Sequence, residues 1–372
     1  MKRRGFVLVS SLLTMVLVLA FVAVAWMIVN REFKSSQSGG AALRASEAAE
    51  YGATRPMSDW RRGDALAWAL GEARGPYTAT LAGGATASWR VQRTSSSTFV
   101  AQGDGAFQHA HRTVTAYLRL ALPGFDTTAA LTVRDSAFVR AGGSVSGADV
   151  SPASWVGLGC PNSGGGAGVA APDTTHICDG PCQSPSGGIV GMPARHADSS
   201  AAGAARFAQF GSETWSTLTS RADLTLLPSS SVTPGFVLTG GTCDRSVVSN
   251  WGDPARASVC SDWFPVIHAL GDVTVVGGSG QGILLAEGDV VLSAGARFIG
   301  VIVSRDDVRL STGGARVTGA VLAEDRDVAD GVHPDIAAGG IIERSTCAIA
   351  RATLGSAPLQ RVRERSWAPV YD

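Results

Sequence analysis

The strongest hydrophobic pattern in the chain is an unbroken apolar run near its start. Phe6 to Val29 carries no charge, and Ser10, Ser11 and Thr14 are its only polar interruptions. As a helix this run would be about 36 Å long at ~1.5 Å per residue, enough to cross a hydrocarbon layer about 30 Å thick. Met1-Lys2-Arg3-Arg4-Gly5 before it is short and basic, which predicts a cytoplasmic N-terminus. Ala23-Val24-Ala25 offers a signal-peptidase-type cut. The apolar run, however, exceeds the usual apolar region of a signal peptide and continues through Trp26, Met27, Ile28 and Val29, which favours a retained span.

Beyond the span the pattern changes twice. Residues 30–75 predict a helical segment. Leu43 and Tyr51 are spaced for one helical face, Gly39-Gly40 predicts a break, and Pro56 predicts an end at Arg55. A second amphipathic stretch, Asp64 to Arg74, stops at Gly75-Pro76. Residues 76–123 then alternate with period two in Tyr77–Leu81, Trp89–Arg93 and Arg112–Leu120. Gly83-Gly84 and Gly103-Asp104-Gly105 are read as turns. This predicts an antiparallel meander that buries Val114, Ala116, Leu118 and Leu120.

A repeat marks the C-terminal half. Gly271-Asp272-Val273-Thr274-Val275 recurs as Gly288-Asp289-Val290-Val291-Leu292 and as Asp306-Asp307-Val308-Arg309-Leu310. Gly282-Ile283-Leu284, Gly300-Val301-Ile302 and Gly319-Ala320-Val321 follow in a second phase. A strand–turn–strand unit returning every ~17–19 residues predicts stacked coils of a parallel β-helix. Val273, Val290 and Val308 are expected to stack inside in one column, and Ile283, Val301 and Ala320 in another. Residues 129–150 share this texture, so 124–345 is expected to be one β-helix-like domain. Residues 151–265 would form a long insertion in it, with an amphipathic helix near Glu213 to Asp223, and 346–372 a tail. The fold class is thus mainly β with a long N-terminal transmembrane α-helix.

Composition narrows the function classes. Apolar residues make up 45% and charged residues 17% of the chain, which excludes a disordered polymer. Glycine, at 46 of 372 residues without a Gly-X-Y period, fits a turn-dense β architecture. Lys plus Arg and Asp plus Glu both number 31, leaving no global field to draw the chain onto nucleic acid. Six cysteines, Cys160, Cys178, Cys182, Cys243, Cys260 and Cys347, all follow the span. An even number in an exported region predicts disulfides, with 15 possible pairings. Cys243 with Cys260 and Cys178 with Cys182 are the simplest local pairs, which leaves Cys160 for Cys347. Cys160, His176, Cys178 and Cys182 as a zinc set is the weaker reading, because thiols oxidise outside the cytoplasm.

Candidate chemistry is sparse. Asp272, Asp289 and Asp307 form a column that could resemble a pair of glycosidase carboxylates. Each precedes a buried valine at a coil turn, where Asp is favoured for a side-chain bond to its own backbone. Asp325, Asp327 and Asp330 have the flavour of a calcium loop without the spacing of an EF-hand. His196-Ala197-Asp198-Ser199 lacks a nucleophile elbow, and Gly278-Ser279-Gly280-Gln281-Gly282 lacks a phosphate-binding helix. The expectation is a non-catalytic protein without metal or cofactor.

Lys2-Arg3-Arg4-Gly5-Phe6-Val7-Leu8-Val9 resembles the leader of a type IV prepilin, and Ala42–Glu50 resembles the segment after the membrane helix in PilX-like minor pilins. The resemblance implies cleavage after Gly5 by a prepilin peptidase and N-methylation of Phe6. It also implies packing of the helix against other pilins on a pilus or secretion assembly platform. Major pilins carry a glutamate at the fifth mature residue, paired with a neighbour's terminal amine. Ser10 stands there in this chain, which implies a minor or tip-located subunit. The implied location is the inner membrane, single-pass, with the C-terminal part periplasmic or extracellular. Two alternatives stay open: a membrane-anchored or secreted β-solenoid that binds or cleaves envelope polysaccharide, and a bactofilin-like scaffold that polymerises through stacked coils.

Overall fold

The computed structural model describes residues 6–372 except 126–127, 161–163, 180–186, 312, 328–329, 363–366 and 371–372; for 6–8 and 367–370 it describes the backbone only. The chain is mainly β with one long N-terminal apolar helix, and it contains both antiparallel and parallel sheets. It divides into two compact units. One comprises residues 1–59, 70–119 and 361–372, and the other residues 60–69 and 120–360.

In the first unit, helix α1 runs from Phe6 to Asp59 without interruption. The break expected at Gly39-Gly40 does not occur. Two glycines cost about 1 kcal/mol each relative to alanine, and a helix already nucleated on both sides propagates through them. The helix also passes Pro56 and ends at Asp59 rather than Arg55. Pro56 lies on the buried face and within the last turn, where Arg55 and Asp59 pair at 2.8 Å. Against this helix lies an antiparallel sheet of β1 (Ala73–Thr80), β2 (Thr86–Arg93), β3 (Thr98–Phe107) and β4 (Ala110–Leu120). Trp367–Val370 adds antiparallel to β4. On β4, Val114, Ala116, Leu118 and Leu120 are buried, as their alternation requires.

Gly103 and Gly105 are not turn residues. They sit in the middle of β3, and the β3–β4 turn falls at Gln108-His109 instead. A Cβ on Gly105 would lie 1.9 Å from the Ala45 carbonyl oxygen, and one on Gly103 would lie 2.2 Å from that of Ala49. These glycines let the helix backbone approach the strand, a role that a turn-residue rule does not separate from a turn. The helical segment expected to reach residue 75 also stops early. Asp64–Ala67 is a single 3₁₀ turn in the second unit, and Ala73 already begins β1, whose register shifts between Arg74 and Tyr77 around Gly75-Pro76.

The second unit is built from two parallel sheets to which successive strands contribute alternately. The larger runs in the order Gly188–Val190, Ser144–Ser146, Ile341–Arg344, Arg316–Ala323, Arg297–Ser304, Ser279–Ala286, Val266–Ala269, Leu224–Leu226. The smaller runs Ser230–Val232, Val273–Val276, Val290–Ser293, Val308–Leu310, Asp335–Ile336, Ala137–Val139, Ile177–Cys178. Val273, Val290 and Val308 pair in register, as do Ile283, Val301 and Ala320. The second column, however, is not in the core between the sheets. Leu284, Ile302 and Val321 point there with the valine column. Ile283, Val301 and Ala320 face the opposite side, packed with Cys347, Ala348 and Ala352 of the helix Thr346–Ser356 and with Trp155 and Phe264. A strand buried on both faces reads as a continuous apolar run, so its sequence does not say which face is which.

Gly282, Gly300 and Gly319 stack at the start of this apolar stretch with φ of 121°, 143° and 149°. A Cβ on Gly300 would lie 2.0 Å from the Gly282 carbonyl oxygen, and one on Gly319 1.8 Å from that of Gly300. Residues 151–265 are not purely an excursion from this region. Leu224–Leu226 and Ser230–Val232 extend the two sheets, and Ala167–Ala171 pairs with Ala129–Val133. The helix expected over 213–223 is one short turn, Trp215–Thr219, capped by Thr214. Residues 346–356, read as tail, form the helix that covers the larger sheet.

Candidate functional site: an exposed apolar helix and a carboxylate cluster

Helix α1 changes character along its length. From Val9 to Val29 every Val, Leu, Ile, Met, Phe and Trp side chain is 50–73% exposed. From residue 41 onward one face closes: Ala41, Ala45, Ala48, Ala49 and Ala53 are buried against the sheet. Gaps of three and four residues, with Ala48 and Ala49 adjacent, keep these alanines on one helical stripe, and their small size matches the glycines of β3. Tyr51 meets Trp89 edge-on at 6.1 Å, and the Arg44 guanidinium lies 4.8 Å over Phe107. The first half is long and apolar enough to cross a membrane. Gly5 lies outside the described residues; Phe6 is the first residue of α1. Ser10 is exposed on the helix, and its carbonyl accepts the Thr14 hydroxyl at 3.0 Å.

Among the described residues, the second unit is closed by the disulfides Cys160–Cys347 across 187 residues and Cys243–Cys260 across 17. Cys178 is also disulfide-bonded, and Cys182 lies outside the described residues. The zinc reading therefore loses the thiolates of Cys160 and Cys178, and His176 instead faces Asp135 at 3.2 Å.

The aspartate column is held differently from the expectation. The Asp272 carboxylate accepts the backbone N–H of Asp289 at 3.0 Å, and Asp289 accepts that of Asp307 at 3.2 Å. Each side chain thus bonds to the next strand of the stack rather than to its own turn, a long-range contact that local turn chemistry cannot reveal. Asp289 also pairs with Arg309. Asp307 ends this run of bonds with its carboxylate buried. Burial first, then the charges of Asp325, Asp289, Asp306 and Asp330, push it up to about 8. Asp306 is raised too, by burial and then by its carboxylate neighbours, although the N–H of Asp327 opposes this. Asp325 is raised mainly by burial, against its 2.9 Å bond to His333. Of the expected calcium-loop residues, Asp325 therefore faces His333, while Asp330 accepts the Val332 N–H at 2.7 Å and Asp327 is exposed. His196 and Asp198 do not assemble a triad: Asp198 caps a 3₁₀ turn through Ser200 and pairs with Arg206.

A groove of about 930 Å³ runs along the larger sheet and is lined among others by Pro152, Pro254, Arg297, Ile299, Arg316 and Glu343. Arg316 pairs with Glu343 at 3.0 Å. No sequence signal pointed to it, because its walls come from strands and a loop far apart in the chain.

No known protein family and no curated protein matches this chain. One similar solved structure is the crystal structure of the competence-associated pilin ComZ from Thermus thermophilus. The match has 11% identity, a TM-score of 0.22, and coverage of 89% of this chain and 98% of that one. A likeness at that score carries no argument. The long N-terminal apolar helix fits a pilin on its own terms.

Proposed function

We propose that this chain is a PilX-like minor pilin subunit of a type IV pilus or a type II secretion pseudopilus. The observation that carries the reading is the division of α1. Its first half offers about 30 Å of apolar helix to a bilayer or to neighbouring helices, and its second half is a spine for an antiparallel sheet. Heterologous, non-closing packing of such helices makes open filaments. The exported part, a β-helix-like domain in this reading, modulates assembly, adhesion or secretion without catalysis, and its disulfides fit an oxidising compartment.

The test is the mature N-terminus, determined by intact mass and terminal peptide sequencing with and without a prepilin peptidase. A peptidase-dependent cut after Gly5 that leaves methylated Phe6 supports the reading. A cut after Ala25, or an uncut chain, sinks it.

A second reading, a β-solenoid that binds or cleaves envelope polysaccharide, draws on the groove beside Arg297 and Arg316 for binding and on the aspartate column, which lies outside that groove's lining, for cleavage. Loss of hydrolysis in a folded Asp289→Asn variant would favour cleavage by this chain.

A further inference from the structure

The carboxylates around the end of the aspartate column are unequal in their partners. Glu324 is met by Arg305 at 2.9 Å, Arg326 at 3.2 Å and Arg134 at 3.6 Å. Asp325 is met by His333, and Asp289 by Arg309. Among the described residues, Asp306 and Asp307 have no such Arg or His partner. Asp307 is 1% exposed, and its Oδ1 accepts no hydrogen bond among the described residues. A buried carboxylate oxygen in this condition is costly unless something positive meets it.

Carboxylate oxygens of Asp289, Asp306 and Asp307 all lie within 4.8 Å of one another. Two oxygens on a calcium ion at about 2.3–2.6 Å can stand up to ~5 Å apart, whereas magnesium demands a tighter octahedron. Three carboxylates with no sulfur or imidazole among them suit a hard cation. The geometry points to a calcium-class cation site formed by Asp306 and Asp307, with Asp289 contributing beside its bonds to Arg309 and the Asp307 N–H. This site adjoins the Asp325, Asp327 and Asp330 loop, whose Asp327 N–H meets Asp306, but it takes its ligands from other residues, and it does not depend on the pilin reading. Its ligands hang from the starts of two adjacent strands, Val290–Ser293 and Val308–Leu310. The cation would therefore tie one layer of the stack to the next where the aspartate-to-amide chain stops.

The test uses the full chain in detergent, stripped with a chelator and titrated with calcium chloride to a few millimolar, the range of weak extracellular sites. Bound calcium is read by equilibrium dialysis and metal analysis, and the melting temperature by tryptophan emission. The wild type should retain about one calcium per chain and gain roughly 3 °C at about tenfold excess over Kd. Asp307→Asn should retain none and show no calcium-dependent shift. Asp272→Asn, at the exposed start of the same column, should behave as the wild type. If Asp307→Asn does not fold, Asp306→Asn carries the same expectation. A wild type that retains no calcium overturns the site, as does a folded Asp307→Asn or Asp306→Asn that retains the wild-type amount.

Discussion

The helix-and-sheet unit and the parallel stack both depend on glycine, in opposite ways. In the first, Gly103 and Gly105 remove side chains so that a helix rich in buried alanine can press its backbone onto β3. The contact buries little area per residue and gains from close approach instead. In the second, Gly282, Gly300 and Gly319 allow successive backbones to stack at positive φ, and the adjoining branched residues Ile283–Leu285 and Val301–Val303 do the burying. One unit is held by fit between two small surfaces. The other is held by a register that repeats, so an error in one layer is passed to its neighbours.

That contrast can be broken most severely in the stack. Gly300→Val should cost more than about 4 kcal/mol, because backbone strain and overlap with Gly282 act together and cannot relax in one layer alone. A chemical-denaturation midpoint close to wild type would show that the glycine stack is not a constraint.

Next in size is Arg62→Ala. Arg62 meets Asp223 at 2.6 Å and donates to the carbonyls of Ser356 and Arg221, all within the second unit. Burial raises Asp223 and lowers Arg62 from their ordinary values even as they pair. Removing the guanidinium strands a carboxylate that also accepts the Val266 N–H, for about 3 kcal/mol. The double change Arg62→Met, Asp223→Leu should recover most of that loss in the same unfolding titration.

In the first unit, Gly105→Val should cost about 2–3 kcal/mol, since one helix can tilt away where a stack cannot. Hydrogen exchange is the sharper readout: protection should fall in residues 41–56 and 98–107. Unchanged protection there would mean that the close approach is not what holds the helix.

The smallest effect is expected at Asp198→Ala, about 1 kcal/mol from loss of the cap on Ser200. The Asp198 carboxylate is held below its ordinary range chiefly by the Ser200 hydroxyl. A depressed folded value means its contribution is present above the ordinary carboxylate range and is lost as pH falls through the folded value. The wild-type advantage over Asp198→Ala should therefore shrink only in acid, in paired melts taken from pH 7 downward.

Much of the architecture was readable because it rests on local periodicity. An apolar run as long as Phe6–Val29 reads as a helix able to cross a membrane, since in such a helix every backbone group is satisfied within the segment. Strict alternation on β4 announced its buried face, and the 17- and 18-residue offsets announced which residues pair in the stack. What the sequence left open depends on partners distant in the chain. Gly103 and Gly105 look like a turn until Ala45 and Ala49 are brought over them. Ile283, Leu284 and Leu285 are alike in hydrophobicity, and only the helix Thr346–Ser356 on one side and the smaller sheet on the other decide which faces where. Asp272 and Asp289 carry the composition of turn residues, yet they bond to strands 17 and 18 residues further on. Asp306 and Asp307 are an ordinary acidic pair in sequence. Their isolation from countercharge arises only when the stack buries one carboxylate and gives the nearby arginines to Glu324 and Asp289. Periodicity is a property of the chain, but burial, register and the distribution of charge partners are properties of its folded neighbours.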